Sequence, residues 1–587
     1  MQHKTTYLVL LVLSMNAFLL SAKDNDSIIR KSVNVTREYQ PVIGNVEKIF
    51  SKPNIVEPQV VKTVPNYSDI TAPLNIDYHI QTLSPQEFLL TPQPIKKGLL
   101  RVGLGLPINS LLDLEYPVWS NTKNQLDISM HHLGIYGDKR HENVNGSINY
   151  NHLFRNFNLY AGLKGSYDFF NYYGKTYAGE TSVRAADMLT NFGDAVYASS
   201  ENQLFSLFQI LSIPPDDSHW RMKATVGVKS LPAVKSIAYE VHAGFNLFNE
   251  TRFKLSEKRI NLNGMFEVPF NKNKLGLDVE IQNMLYDSPL LQNFQFPDNY
   301  SVVKLNPYYQ LKGENWFARL GVKTGISIGH GRTFTPSPDV TAQWNVLPEY
   351  LSIYGGLTGD LTINTLDHSY NENRYINPNN RIDDTYTPMD AFIGFKTSPI
   401  YNLMIDAYGE YKIINNQYFY INRFYNLQTP SVNVMPANMN SLFINRFDVT
   451  YSKASQSTVG LRAVWDYRGF LHVFAKGAYH HWNVENAVHA WQLPRWEANF
   501  GGDVKIGNDL QLNTQFIFQN GRYSLLSDPN GTKMSSIADW NVGANYLYRQ
   551  DLSFFIQLNN LLNKKYAFYQ GYDVQGINFR LGAAFGF

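Results

Sequence analysis

Apolar and polar residues alternate along most of the chain after residue 98, and this period of two predicts β-strands. In the run 158–169, odd-numbered positions are apolar, aromatic or glycine, and most even-numbered positions are polar. Similar runs cover 237–247, 351–361, 403–413, 496–506 and 510–518. Most of them extend over roughly ten residues, whereas a strand of an ordinary globular protein has about five or six. A strand of about ten residues, tilted near 40°, is long enough to cross the apolar part of an outer membrane.

The connections between these runs alternate in length, which is typical of a transmembrane β-barrel. Short turns are predicted at 155–156, 271–272, 312–314, 347–349, 507–509 and 549–551. Long loops are predicted at 171–217, 249–257, 287–299, 363–387, 414–455 and 520–536, although residues 441–451 could also be a strand. One strand over 99–106, ten hairpins and a last strand over 576–587 predict an all-β, antiparallel transmembrane barrel of about 22 strands. The hairpins start near 111, 143, 218, 258, 300, 336, 388, 456, 493 and 537.

The first 98 residues differ from the rest of the chain. Residues 1–22 are predicted to be a secretory signal peptide, with an apolar stretch from Tyr7 to Leu20 and the small residue Ala22 at the cleavage point. Residues 23–98 are rich in proline, which cannot donate to a sheet, and predict an extended segment, either a reduced plug or a periplasmic tail. The barrel domain is therefore expected to cover residues 99–587.

The composition excludes several functional classes. The net charge of +2 gives no argument for binding nucleic acid. The chain has no cysteine, which excludes disulfides, thiolate metal sites, a lipoprotein anchor and a cysteine nucleophile. The mean hydropathy is −0.29. Beyond the first twenty residues, no apolar run approaches the roughly 18 residues that a membrane helix needs.

Aromatic residues fall where a membrane barrel would need them. Tyrosine and tryptophan collect where membrane hydrocarbon meets the headgroups. The tryptophans near predicted strand ends, which we expect in such girdles, are Trp119, Trp220, Trp316, Trp344, Trp482 and Trp496. The last strand is predicted to carry one apolar face that ends on an aromatic residue and includes Phe579, Leu581, Phe585 and Phe587. Such a strand resembles the signal recognised by the barrel-assembly machinery.

The sequence predicts no catalytic residue, no metal site and no cofactor. Histidines are adjacent at 131–132 and 480–481, and because neighbours on a strand face opposite sides, neither pair can share a metal ion. Carboxylates are adjacent at 216–217 and 383–384, where solvated loop charge is a simpler interpretation than calcium binding. The chain has neither a phosphate-binding glycine loop followed by lysine nor a Ser/His/Asp order with a nucleophile elbow.

One group of loop aromatics leaves two interpretations open. These side chains could stack on a sugar or an aromatic siderophore, or they could pack within the loop or a girdle, which is the favoured interpretation. They are Tyr418, Tyr420, Phe424 and Tyr425.

The C-terminal run Leu558–Tyr566, with the sequence LNNLLNKKY, resembles the penultimate strand and last loop of TonB-dependent receptors. The likeness continues through Gln570–Tyr572 and Gly576–Phe579 and covers roughly the last fifty residues, whereas the rest of the barrel matches in pattern and strand number. The segment Val33–Ile43 resembles the N-terminus of plug-poor members of that family from Bacteroidetes. The resemblance implies a transport-type barrel in the bacterial outer membrane.

The N-terminal segment departs from the family pattern. Family members carry a plug domain that fills the barrel, and only residues 23–98 are available for one here. A barrel of about 22 strands encloses a lumen too wide for side chains to fill. Residues 23–98, the loop 171–217 with its apolar stretch 204–211, or a partner protein could close that lumen. The positions that resemble a TonB box are Val33, Asn34, Val35 and Thr36.

We therefore interpret the chain as an outer-membrane, TonB-dependent-receptor-like β-barrel, which acts in transport or as the barrel subunit of an outer-membrane complex. TonB-coupled uptake of a large or scarce nutrient through a reduced plug is the alternative, and a surface enzyme is a less favoured one. The expected partners are outer-membrane lipid and lipopolysaccharide, the barrel-assembly machinery, and TonB or another envelope protein that seals the lumen. No partner nucleic acid is expected, and the residues do not identify a cargo.

Overall fold

A computed structural model describes residues 98–178, 181–183, 216–231, 237–287, 299–378, 380–426 and 441–587. The N-terminal half contains β1 (Leu99–Leu106), β2 (Asn109–Ser120), β3 (Asn124–Ile135), β4 (His141–Leu153), β5 (Phe157–Asn171), β6 (Thr176–Ala178), β7 (Thr181–Val183), β8 (Asp216–Ser230), β9 (Ala238–Glu250), β10 (Ser256–Phe270) and β11 (Asn273–Asp287). The middle contains β12 (Tyr300–Lys312), β13 (Trp316–Ile328), β14 (Phe334–Leu347), β15 (Leu351–Thr362), helix α1 (Leu366–Glu372), β16 (Thr385–Thr397), β17 (Leu403–Asn426) and β18 (Ser441–Tyr467). The C-terminal part contains β19 (Leu471–Val484), β20 (Trp496–Ile506), β21 (Leu510–Asn520), β22 (Tyr523–Ser524), β23 (Thr532–Lys533), β24 (Ile537–Arg549), β25 (Leu552–Asn559) and β26 (Asn578–Gly586).

All of these strands except β6, β7, β22 and β23 form one closed antiparallel barrel, which leaves twenty-two strands in the ring. Each ring strand pairs with the next along the chain, and β26 closes the ring on β1, from Leu99 opposite Gly586 to Leu106 opposite Phe579. The predicted fold class and strand number are confirmed. Closure pairs the backbone edges that an open sheet would expose.

The two ends of the barrel differ in their connections. At one end, which we call the turn end, strands join through short turns such as the two residues between β10 and β11, where Asn271 has a φ of 59°. The opposite end, which we call the loop end, carries the longer connections, including residues 363–384 between β15 and β16. In outer-membrane barrels the short turns face the periplasm and the long loops face outward.

The predicted loop over 414–455 is wrong for most of its length, and the alternative prediction of a strand over 441–451 is confirmed. Strand β17 continues to Asn426, and β18 already begins at Ser441, so this hairpin extends far beyond its neighbours at the loop end. The consecutive residues Phe419 and Tyr420 are both buried. Because protein packs on both faces of the strand here, the alternation that marks a membrane-crossing strand disappears from the sequence.

The outer surface of the ring is an apolar band that only a lipid environment would tolerate. Leu104 is 72% exposed, and Val459 and Ile393 are each 66% exposed on this surface. Five of the predicted girdle tryptophans, namely Trp119, Trp220, Trp316, Trp344 and Trp496, are 42–56% exposed near strand ends. The sixth was predicted wrongly, because Trp482 is partly buried and packs against Phe419 in a cluster of buried residues at the loop end.

The inner surface of the ring is polar and braced by ion pairs between neighbouring strands. Arg101 contacts Asp113, and Arg319 contacts Asp339 at 2.7 Å and Asp278 at 3.0 Å. Such a wall suits a water-containing lumen. Among the described residues, no helix is both long enough and apolar enough to cross a membrane.

Candidate functional site

The loop end of the barrel is bridged by strands from opposite walls. In ring order β5 is the fifth strand and β18 the sixteenth, so they stand eleven strands apart in a ring of twenty-two. Strand β6 begins five residues after β5 ends, and it pairs with the outer part of β18 through Ala178 opposite Leu442 and Tyr177 opposite Phe443. The Asn445 amide also donates to the Tyr172 carbonyl oxygen at 2.9 Å. The segment that follows β5 and the outer part of β18 therefore meet over the barrel mouth.

Helix α1 forms a second crossing. Its first turn is held by one wall: the Glu257 carboxylate of β10 accepts from the Leu366 backbone N–H, and Arg221 of β8 contacts both Asp367 and Asp168 at 2.5 Å. Thr365 caps the helix by accepting from the His368 backbone N–H at 3.0 Å.

The last residue of α1 is held from the other side of the mouth. The Glu372 carboxylate accepts hydrogen bonds from Tyr418 and Tyr420 of β17, the latter at 3.1 Å. Its backbone carbonyl accepts from the Tyr569 hydroxyl at 2.8 Å. The short helix is therefore fixed between β8 and β10 on one side and β17 on the other.

A continuous aromatic core fills the space under these crossings. We call it, together with the segments that supply it, the aromatic cap: residues 170–178, loop 363–384, the outer parts of β17 and β18, and loop 560–577. Tyr375 and Tyr572 stack with ring centres 3.5 Å apart. Burial raises the pKa of Tyr370 and Tyr572 well above that of free tyrosine, so both hydroxyls stay protonated. The buried members of the core are Phe170, Tyr172, Phe248, Leu255, Leu366, Tyr370, Ile376, Ile382, Tyr420, Phe447 and Tyr572.

One cation lies inside this aromatic core. The Arg446 side chain of β18 is only 2% exposed. Its guanidinium carbon lies 4.0 Å from the centre of the Tyr172 ring and 5.7 Å from that of Phe253, and it interacts electrostatically with the Asp217 carboxylate. Its Nε and Nη2 atoms have no hydrogen-bond partner among the described residues, so it is the ring faces that tie β18 to the opposite wall.

The last loop, 560–577, is anchored by the motif that resembles TonB-dependent receptors. Asn560 adopts a left-handed conformation with a φ of 49°, and its amide donates to the carbonyl oxygens of Lys564 and Gln575 at 3.1 and 3.0 Å. The Tyr566 hydroxyl donates to the buried Asp539 carboxylate. Because Asn tolerates positive φ and can bond its own loop, the motif encodes a rigid turn that aims the loop into the cap.

A second buried arginine fastens the same loop. Arg522 donates to the carbonyl oxygens of Ala567, Phe568 and Ser535 at 2.5, 2.8 and 3.2 Å. Complete burial lowers the pKa of Arg522 to about 10, which still leaves it charged at neutral pH. Loop 521–536 is thus joined to loop 560–577 by one side chain.

The adjacent carboxylates noted in the sequence form ion pairs and hydrogen bonds with other side chains of the protein. Asp383 contacts Arg381 at 2.5 Å and His330 at 3.2 Å, and Asp384 accepts from the Tyr300 hydroxyl at 3.0 Å. Burial raises the pKa of Asp384 to about 6. Asp216 pairs with Arg252 at 3.4 Å, and Asp217 accepts from the Tyr172 hydroxyl at 3.2 Å. These acids bind neighbouring side chains of the loop end.

The remaining candidate residues have varied positions. His480 is buried while His481 is exposed, as strand alternation requires, and the described residues contain no group of three or more His, Asp or Glu placed to hold a metal ion. Of the loop aromatics, Tyr418 and Tyr420 pack in the aromatic cap, and Phe424 is exposed. The side chain of Tyr425, the TonB-box-like residues Val33, Asn34, Val35 and Thr36, and the apolar stretch 204–211 lie outside the described residues.

The closing strand β26 presents the predicted apolar face to lipid. Leu581, Phe585 and Phe587 are exposed, and Phe579 is partly exposed. Phe587 stacks on Phe585 and on Tyr116 at centre-to-centre distances of 6.0 and 5.8 Å. Recognition of this strand by the barrel-assembly machinery stays a prediction.

The residues that hold the cap were not recognisable in the sequence. Arg446, Glu372 and Arg522 carry no motif, and each contacts residues far away along the chain. A signal was nevertheless present, because the stretch 414–455 is rich in Tyr, Phe and Asn and lacks the regular alternation of the neighbouring strands.

Comparison with known proteins supports the fold and nothing finer. No known family profile matches the chain, and no curated protein matches it. Among solved structures, the siderophore receptor PirA from Pseudomonas aeruginosa is similar over 84% of this chain and 81% of its own, with a TM-score of 0.55 and 11% identity. The ferric enterobactin receptor PfeA from Pseudomonas aeruginosa, solved as a mutant with enterobactin, is similar over 84% of this chain and 81% of its own, with a TM-score of 0.59 and 11% identity. The copper transporter OprC is similar over 84% of this chain and 80% of its own, with a TM-score of 0.54 and 13% identity.

The closed ring, the apolar outer band and these neighbours define a large outer-membrane β-barrel with the fold of a TonB-dependent receptor. The neighbours are described as receptors and a transporter, and none is described as an enzyme. In this chain, segments of the barrel itself cross the loop-end mouth and pack together as the aromatic cap.

Proposed function

We propose that this protein is a transport-type outer-membrane barrel whose outward mouth is held shut by its own loops and must open for cargo to pass. The observation that carries the proposal is the pairing of β6 with β18 across the mouth. The polar lumen behind the cap supports transport over a purely structural role, because a wide barrel with a charged inner wall can hold water and solute. Catalysis is not part of the proposal.

A disulfide between positions 178 and 442 tests the closed mouth in living cells. These residues are directly paired, and paired Cα atoms of antiparallel strands lie about 4.5–5.5 Å apart, within the range of a disulfide. Because the natural chain has no cysteine, Ala178→Cys with Leu442→Cys creates only one pair of thiols. We expect nearly complete crosslinking under mild oxidation, seen as a mobility change that reductant reverses.

The matched control keeps one cysteine and moves the other. Ala178→Cys with Ser457→Cys places the second thiol on the same strand β18 but far below the paired position, so no crosslink should form. Equal crosslinking of both pairs, or of neither, would mean that the mouth is not bridged as described.

TonB-coupled uptake is the alternative form of the same function. It needs the segment that resembles a TonB box, so deleting residues 32–37 should abolish binding of the host's purified TonB C-terminal domain. The barrel should stay folded, as judged by its heat-modifiable mobility in gels. A deletion of residues 80–85 serves as the control, since it shortens the same segment equally. Undiminished binding after the first deletion would refute this alternative.

A barrel subunit of an outer-membrane complex is the second candidate. It is favoured by the dense packing of the aromatic cap, in which Phe170, Leu255 and Phe447 have no exposed surface. A mouth sealed this tightly could be a permanent feature of an assembly. Stable copurification of other envelope proteins with the full chain would support this candidate.

A further inference from the structure

Two lysines face each other across neighbouring strands on the lumen wall, below the aromatic cap. Lys164 of β5 is the direct register partner of Lys223 of β8. Both lie on the face that carries the inward residues Asp168 and Arg221, while their chain neighbours Leu163 and Met222 are exposed to the lipid side. Both lysine side chains are exposed within the lumen.

This arrangement differs from another cationic pair on the wall, Arg462 opposite Lys476, because Arg462 contacts Asp406 at 3.7 Å. Like charges directly opposite each other destabilise a sheet. Several other lumen cations contact carboxylates: Lys229 with Glu240 at 2.7 Å, Lys274 with Glu267 at 2.7 Å, Lys412 with Glu410 at 2.7 Å and Arg319 with Asp339 at 2.7 Å. Within the part of the chain that the structure describes, Lys164 and Lys223 take part in no ion pair.

The neighbouring positions add polar side chains and no acid, although the Asn246 amide also donates to the Asn261 side-chain oxygen at 3.0 Å. The transverse row through the lysines runs over β3, β4, β5, β8, β9, β10 and β11 and contains Ser129, Ser147, Lys164, Lys223, Asn246, Arg259 and Met284. Three of these residues are cations and none is a carboxylate. The Nε atom of Arg259 is buried and has no hydrogen-bond partner.

We propose that Lys164 and Lys223, flanked by Asn246 and Arg259, form an oxyanion-binding site for a carboxylate or phosphate group in the lumen. An oxyanion between the two ammonium groups replaces their repulsion with charge-assisted hydrogen bonds. The anion is either free in the lumen, as part of a cargo, or a carboxylate of residues 23–97 of the same chain. The assignment as a cargo site rests on the proposed transport function. Binding of an anion by the two lysines does not depend on that function.

The first experiment measures thermal unfolding of the full chain in detergent at low ionic strength, with inorganic phosphate or with sodium chloride of equal ionic strength. Phosphate should raise the unfolding midpoint by about 1–2 °C or more over chloride. Lys164→Gln and Lys223→Gln should each unfold at the same temperature as the wild type or higher in low salt, because one substitution removes the repulsion. Both variants should lose the phosphate effect.

The matched control is Lys229→Gln, which removes a lumen lysine that is paired with Glu240. This variant should keep the phosphate effect, since the proposed site is intact. A phosphate effect that persists in Lys164→Gln and Lys223→Gln would be a general salt effect on burial and would overturn the proposal.

A second measurement identifies the source of the anion. A carbodiimide joins lysine to a carboxylate in direct contact, so peptide mapping of the treated full chain shows whether Lys164 or Lys223 is linked to an acidic residue of 23–97. A link assigns the site to the chain's own segment, and a phosphate effect without a link assigns it to a free anion. If no link forms and phosphate has no lysine-dependent effect, the proposal is overturned. This holds whether the cap is open or closed.

Discussion

Substituting Arg446 by methionine should loosen the aromatic cap and leave the barrel intact. The change removes a fully buried cation from between two aromatic rings and so removes the cation–π contacts with Tyr172 and Phe253. Cation–π contacts inside a desolvated core are worth about 2 kcal/mol or more. Since each 1.4 kcal/mol is about tenfold in an equilibrium constant, the opening of the cap should become roughly 30-fold more favourable or more.

Hydrogen exchange of the backbone amides in residues 366–378 measures this opening. Exchange should accelerate in Arg446→Met, while the amides of ring strands such as β13 keep their protection. Arg468→Met is the control: this arginine also lies over a tyrosine ring, 5.1 Å from the centre of Tyr467, but it is exposed in a turn at the other end of the barrel. Unchanged exchange in Arg446→Met would show that the arginine does not hold the cap.

The barrel was predictable because each of its strands faces membrane lipid on one side and the polar lumen on the other. In β5, for example, Leu163 meets lipid while Lys164 meets the lumen, so the contrast is recorded residue by residue. The turns were predictable too, because neighbouring residues in the sequence specify each turn, as with the two residues that join β10 and β11. Strand number then followed from counting.

The cap was not predictable, because its contacts join residues that are distant in sequence. Tyr172 and Asn445 are 273 residues apart, and Glu372 and Tyr569 are 197 apart. Nothing in the local pattern of either partner specifies the other. The same physics explains the wrong loop prediction over 414–455: once both faces of a strand are covered by protein, apolar residues such as Phe419 and Tyr420 follow one another and the period of two is lost.

The misplaced tryptophan has the same origin. Trp482 lies near the end of β19, as a girdle residue would, but at this height the inner face of the strand is covered by the cap. An amphipathic ring serves equally well at a membrane interface and in a mixed aromatic core. Position along the strand could therefore not decide between the two.

Single-channel conductance in planar bilayers measures whether the barrel's own loops close the loop-end mouth. Four proteins are compared: the full chain, a chain lacking residues 23–97, a chain in which a short Gly-Ser linker replaces residues 366–382, and the combination. The deletion stops at residue 97 because the Gly98 carbonyl accepts from the Phe587 backbone N–H at 3.0 Å. Heat-modifiable mobility confirms that each barrel is folded. The chain lacking residues 23–97 should remain closed, and the combination should give large, steady channels. Large channels from the chain lacking only residues 23–97 would contradict closure by the aromatic cap. They would show that the N-terminal segment closes the barrel.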